Sequence, residues 1–103
     1  MLKDVMAIQI DPEKREFEAL LKLAGDLSGQ KVLEVGCGNG RITTHLAQFA
    51  AHITAIDPNE DRITIAKANL PPNLAHKISY HTMPLEELPP GDLFDMVLLS
   101  WSL

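Results

Sequence analysis

Two carboxylates and three glycines carry the chemistry legible in this chain. Residues 32–40 read Val-Leu-Glu-Val-Gly-Cys-Gly-Asn-Gly, an apolar run closing on Glu34, followed by Gly36, Gly38 and Gly40 spaced two apart. Glycines at that density let backbone turn tightly and let a ligand approach it closely. Asp57 follows roughly 20 residues later, the interval at which a βαβ unit delivers a second strand tip beside the first. An ionised carboxylate there is an acceptor-only group that can hold two vicinal hydroxyls at once. Ribose chemistry and a nucleotide-like cofactor are therefore indicated. A pyrophosphate is not. The dinucleotide fingerprint needs Gly-x-Gly-x-x-Gly, whereas Arg41 occupies the third position and Gly40 comes one residue early. Glu34, two residues before the loop, would repel a pyrophosphate and attract a cation.

These residues need a strand, a loop and a helix to position them. Lys31–Val35 reads as a buried parallel strand. Arg41–Ala50 reads as the next helix, with Ile42, Leu46 and Phe49 on one face. His52–Ile56 is a second strand, closed by Asp57-Pro58-Asn59. A helix follows from about Glu60 to Asn69 with Ile63 and Ala66 inward, and Pro71-Pro72 stops it. Lys77–His81 is a short third strand, Pro84–Leu88 a helical turn, and Phe94–Leu99 a fourth strand, apolar nearly throughout. Upstream, Asp11-Pro12-Glu13 opens a helix carrying Phe17, Leu20, Leu21 and Ala24, and Gly25 stops it. Strands alternating with helices predict an α/β fold, a Rossmann-like parallel sheet with right-handed crossovers and strand order 3-2-1-4. The expected organisation is one partial domain over residues 1–103, with an N-terminal helical segment (1–30) and a cofactor-binding half-sheet (31–103).

The chain ends immediately after the fourth strand. At a sheet edge, Met96-Val97-Leu98-Leu99 would expose unpaired backbone. Such an edge predicts either a fragment of a larger domain, the favoured reading, or self-association through the fourth strand.

Composition narrows the partners. With 103 residues and 46% hydrophobic content, the chain can build one small core. Its net charge of −5 argues against nucleic acid or an anionic membrane as partner. Residues 1–10 are too short and interrupted for a signal peptide or a membrane span. The single cysteine, Cys37, excludes an internal disulfide and fits a reducing, cytoplasmic setting. His45, His52, His76 and His81 lack paired metal-ligand spacing.

S-adenosylmethionine is a cationic adenosine derivative without phosphate, and an acidic, backbone-lined cleft suits it. Glu34-Val-Gly-Cys-Gly-Asn-Gly40 resembles the first motif of class I S-adenosylmethionine-dependent methyltransferases. Ala55-Ile-Asp57 is similar to the acidic end of their second strand. Glu86-Glu-Leu-Pro89 looks like the segment after their third strand, and Phe94–Trp101 resembles their fourth. The likeness runs over residues 31 to 102, in the family's order and spacing.

The resemblance implies roles. Gly36 and Gly38 would line the methionine and ribose parts of the cofactor with backbone. Glu34 would hold the loop and help recognise the methionine end, and Asp57 would take the ribose hydroxyls. Met83, Pro84 and Leu85 would flank the adenine, and Ser100 would face the methyl-donating end. Pro84 departs from the family pattern. Many relatives carry an aspartate near that position, and proline offers neither a side-chain acceptor nor a backbone N–H. The implied activity is methyl transfer to a small-molecule acceptor. Acceptor-binding groups of the family often lie after the fourth strand, so no catalytic residue is assigned.

Competing readings stay open at this level. The glycines also suit a purely structural turn, Asp57 suits a helix cap, and Glu34 suits a brace for the loop backbone. Cys37 suits a small buried thiol. A non-catalytic cofactor-binding or interaction module is the alternative from another class. A nicotinamide-dependent oxidoreductase is disfavoured by Arg41 and Glu34.

Overall fold

The computed structural model describes residues 4–10, 27–89, 91 and 93–102. Its strands are β1 (Asp4–Ile10), β2 (Lys31–Val35), β3 (His52–Asp57), β4 (Ile78–Thr82) and β5 (Met96–Ser102), and its helices are α1 (Arg41–Leu46) and α2 (Glu60–Ala68). All strand pairs are parallel, in the order β1-β5-β2-β3-β4. Read from the β4 side, the four strands expected from sequence lie in the expected order 3-2-1-4.

Side chains alternate across each strand, so each strand feeds both faces of the sheet. Val32, Ile53, Ala55, Ile78, Met96 and Leu98 pack in one cluster with Ile42 and Leu46 of α1 and Ile63 and Ala66 of α2. Leu33, Ile56 and Val97 form the core of the opposite face, with Val35, Met83, Leu88, Phe94 and Leu99 against them. Glu34 alternates with Leu33, and Asp57 with Ile56. Both carboxylates therefore leave the sheet on the helix-covered face, one strand apart.

Three sequence expectations are corrected in detail. Helix α1 ends at Leu46 rather than Ala50. The chain continues in tighter turns, with the Phe49 N–H donating to the Leu46 carbonyl at 3.0 Å. That unwinding rotates Phe49 off the buried face, and 41% of it is exposed. Strand β5 starts two residues later than expected, at Met96. Asp95 fixes this start from both sides: its N–H donates to the Lys31 carbonyl and its carboxylate accepts from the Lys31 N–H, each at 2.8 Å.

The third correction concerns the N-terminal segment and the sheet edge. Residues 4–10 form a strand rather than part of a helical segment, and they pair along β5 from Asp4↔Met96 to Ile10↔Ser102. The physical reason lies in their composition: Val5, Ile8 and Ile10 favour extended backbone, and an apolar unpaired strand is costly to leave open. The edge expected to drive self-association is thus occupied by the chain's own N-terminus, and β1 and β4 are outermost. The helix expected over Asp11–Gly25 lies outside the described residues. Among the described residues, no helix is long and apolar enough to cross a membrane.

Deleting residues 1–10 removes the partner of β5 and recreates the open edge. The shortened chain is expected to self-associate with rising concentration in sedimentation velocity, and the full chain not to do so through β5. Identical sedimentation of the two would overturn the β1–β5 pairing.

Candidate functional site

The site begins where β2 runs out. Gly36, Gly38 and Gly40 all take positive φ, at 80°, 59° and 84°, a region that costs other L-residues about 1–2 kcal/mol. The resulting loop folds back over β3. The N–H groups of Gly36 and Cys37 both donate to the Ile56 carbonyl, at 2.9 and 3.2 Å.

Asp57, the next residue, binds the surrounding segments together. Its Oδ2 accepts from the Gly38 N–H at 2.9 Å and its Oδ1 from the Asn59 N–H at 2.8 Å. Its own carbonyl accepts from the Met83 N–H at 3.1 Å, tying in the exit of β4. The helix-cap role is taken by Asn59, whose side chain accepts from the Arg62 N–H at 3.1 Å. Asp57 is therefore a brace between loops and not a cap. Each carboxylate oxygen accepts one N–H and keeps a second lone pair, enough for the two hydroxyls of a ribose.

Beneath the loop lies a second polar centre. Glu34 and Thr43 are both fully buried, and the Thr43 hydroxyl donates a short hydrogen bond to Glu34 Oε1. Tyr80, from β4, reaches under Gly40. A Cβ at Gly40 would run into the Tyr80 hydroxyl and lie 3.1 Å from the Ala66 methyl, whereas a Cβ at Gly38 would meet nothing within 4 Å. The Tyr80 hydroxyl is buried without a hydrogen-bond partner. The Thr43 and Thr44 hydroxyls lie near it, donating their own protons to Glu34 and to the Gly40 carbonyl.

Burial, reinforced by the Glu34 and then the Asp57 charge, pushes the Cys37 thiol far above its usual range. Cys37 is thus an inert thiol. Burial likewise raises the Tyr80 phenol.

The structure brings Glu34, Gly36, Gly38, Asp57 and Met83 together at the C-terminal ends of β2, β3 and β4. Pro84 is half-buried and begins the turn over Leu85–Glu87, which leaves Leu85 47% exposed. Ser100 lies inside β5 rather than past its end, one residue beyond the Val35↔Leu99 pair and so level with the start of the glycine loop. A cleft of about 390 Å³ opens against loop residues 36–39, with Arg41 and Ile42 of α1 and Arg62 and Ile65 of α2 on its walls. It reaches Gly36 and Gly38 but not Glu34, Asp57 or residues 83–85. Thr43 and Tyr80 are not singled out from sequence, and Asn59 only as part of the turn before α2. A threonine on the helix face shared with Ile42 and Leu46 is the one available signal. Among the described residues, no group of three or more His, Cys, Asp and Glu gathers as for a metal ion.

Residues 32–103 match the family described as methyltransferase domain. The chain belongs to that family. Among methyltransferase relatives, it is 39% identical over 79 residues to magnesium-protoporphyrin O-methyltransferase of Rhodobacter capsulatus, covering 77% of this chain and 32% of that protein. It is 39% identical over 87 residues to ubiquinone biosynthesis O-methyltransferase of Rickettsia conorii, covering 84% and 29%. The chain thus spans about a third of the length of these relatives. Among solved structures, it is similar to magnesium protoporphyrin IX methyltransferase of Synechocystis with bound S-adenosylmethionine. There the TM-score is 0.65 at 30% identity, over 79% of this chain and 39% of that one. An S-adenosylmethionine-dependent methyltransferase of Mesorhizobium loti gives a TM-score of 0.67 at 26% identity, over 82% and 38%.

Two measurements test this geometry. Gly40→Ala adds overpacking to the left-handed strain and is expected to destabilise by about 2–4 kcal/mol, against about 1–2 for Gly38→Ala. In urea unfolding, a Tyr80→Phe background should recover part of the Gly40→Ala loss and none of the Gly38→Ala loss. Cys37 should resist iodoacetamide at pH 8 in the folded chain and react readily in urea. Because folding raises this thiol, its contribution to stability is complete below the ordinary thiol range. That contribution is lost as pH climbs above about 8.5 toward the folded value.

Proposed function

We propose that the chain is the cofactor-binding half of an S-adenosylmethionine-dependent methyltransferase that acts on a small molecule. The observation that carries this reading is the Asp57 carboxylate held at 2.9 Å to the glycine loop, with acceptor capacity left for a ribose. Membership of the methyltransferase-domain family supports it, as does likeness to a structure with bound S-adenosylmethionine.

In this reading the backbone of Gly36 and Gly38 lines the methionine and ribose parts, and Asp57 accepts from the ribose hydroxyls. Met83, Pro84 and Leu85 flank the adenine through packing, and Ser100 stands toward the methyl-donating end. Glu34 has no exposed surface, so it serves the cofactor from below the loop, through its position and its charge. S-adenosylmethionine held there would supply an activated methyl group for transfer to an acceptor nucleophile. The chain's residues orient the donor for in-line attack, and most of the catalytic effect comes from that positioning. The net charge of −5 favours a small acceptor over nucleic acid, and the lone reduced Cys37 suits a cytoplasmic setting.

Asp57→Ala is expected to weaken binding of S-adenosylhomocysteine by about 1–3 kcal/mol, the cost of leaving hydrogen-bonding groups unpaired. Isothermal titration calorimetry reads this directly. Unchanged affinity would remove Asp57 from the site, and a wild-type chain that binds neither S-adenosylmethionine nor S-adenosylhomocysteine would overturn the reading as a whole.

A further inference from the structure

We infer that Thr43 is a positioning residue for charge: its hydroxyl holds the Glu34 carboxylate beneath the glycine loop and thereby biases the site toward a sulfonium cofactor over its neutral thioether product. The inference rests on the methyltransferase reading and adds a specificity device to it.

The burial of Thr43 is anomalous for a polar side chain. Ile42 and Leu46 of α1 pack into the core as an amphipathic helix requires, yet Thr43 between them is equally buried. Buried polar groups need partners, and the partner of Thr43 is a carboxylate with no exposed surface. An anion in such a place is costly unless hydrogen bonds hold it, and a hydroxyl–carboxylate bond is of the stronger, charge-assisted kind. Two positions on different elements, the end of β2 and the first turn of α1, are thereby locked on either side of the glycine loop.

The field of that carboxylate reaches the glycine loop. Cys37 lies between Gly36 and Gly38, on a cleft wall shared with Arg41 and Arg62, and the Glu34 charge is the second cause, after burial, that opposes ionisation of its thiol. Asp57 adds to the effect at Cys37, and Glu34 also opposes ionisation of Tyr80. A potential that opposes a thiolate favours a cation at the same place. S-adenosylmethionine and S-adenosylhomocysteine have nearly the same shape and differ by one methyl group and one positive charge at sulfur. The ratio of their affinities therefore reads the charge beneath the loop, while a general weakening of the site divides out.

The experiment is calorimetric titration of both ligands into the wild-type chain and into Thr43→Val, Thr43→Ala, Thr43→Ser and Glu34→Gln. Thr43→Val and Thr43→Ala are expected to lower the affinity for S-adenosylmethionine several-fold more than that for S-adenosylhomocysteine, matching Glu34→Gln in direction. Thr43→Ser, which keeps the hydroxyl, should restore the wild-type ratio. Partial unfolding of a variant lowers both apparent affinities by the same factor and leaves the ratio intact. Thr43→Ala serves if Thr43→Val does not fold. An unchanged ratio in the hydroxyl-free variants, with both ligands still bound by the wild type, would overturn the role of Thr43 and leave the methyltransferase reading standing. Binding of neither ligand by the wild type would overturn that reading itself.

Discussion

One carboxylate holds the functional end of this sheet together. Asp57 accepts the Gly38 N–H with one oxygen and the Asn59 N–H with the other, while its carbonyl takes the Met83 N–H. The glycine loop after β2, the turn into α2 and the exit from β4 are all referenced to this residue. Parallel strands end together at one side of a sheet, and their exit loops carry backbone groups that the ladder no longer satisfies. A carboxylate at the tip of β3 satisfies several of these groups at once. It remains an acceptor, so the same group that organises the loops can still take donors from a ligand.

The helix-covered face of the sheet carries two carboxyl groups. Glu34 and Asp57 lie one strand apart on the face that Val32, Ile53, Ala55, Ile42 and Leu46 fill. Burying charge this way contributes little to stability and often opposes it. In the methyltransferase reading, the low-dielectric setting beneath the glycine loop strengthens the field of these groups at a bound cofactor. Thr43 and the loop amides satisfy the carboxylates, and the Cys37 thiol is kept neutral. Close packing completes the floor, since Tyr80 fills the space beneath Gly40 that any side chain at that position would need.

Much of this was legible in the primary structure, and for local reasons. Short apolar runs marked β2, β3 and β4 to within a residue or two, and the Asp57-Pro58-Asn59 turn and the double proline at 71–72 bounded α2. The glycine loop was legible because positive φ selects glycine wherever it occurs. The failures are equally physical. The hydrophobic spacing of Ile42, Leu46 and Phe49 is helical. The anchoring of Ala51 to the Gln30 carbonyl and the bridge between Ser28 and Ala50 nonetheless go with an earlier end to α1. Apolar residues at 4–10 carried no sign of which strand they would join, because pairing register is set by a partner some ninety residues away.

The sequence by itself determined the order of strands and helices from β2 to β5, the glycine loop and an acidic residue at the following strand tip. Each follows from backbone preferences acting within a few residues. Only the tertiary structure decided that Glu34 turns inward to Thr43, that Tyr80 lies under Gly40, that Asp57 braces loops instead of capping a helix, and that β1 closes the edge of β5. Those outcomes depend on which distant groups meet once the sheet has formed. Burial and hydrogen-bond satisfaction act on that meeting, and no local pattern encodes it.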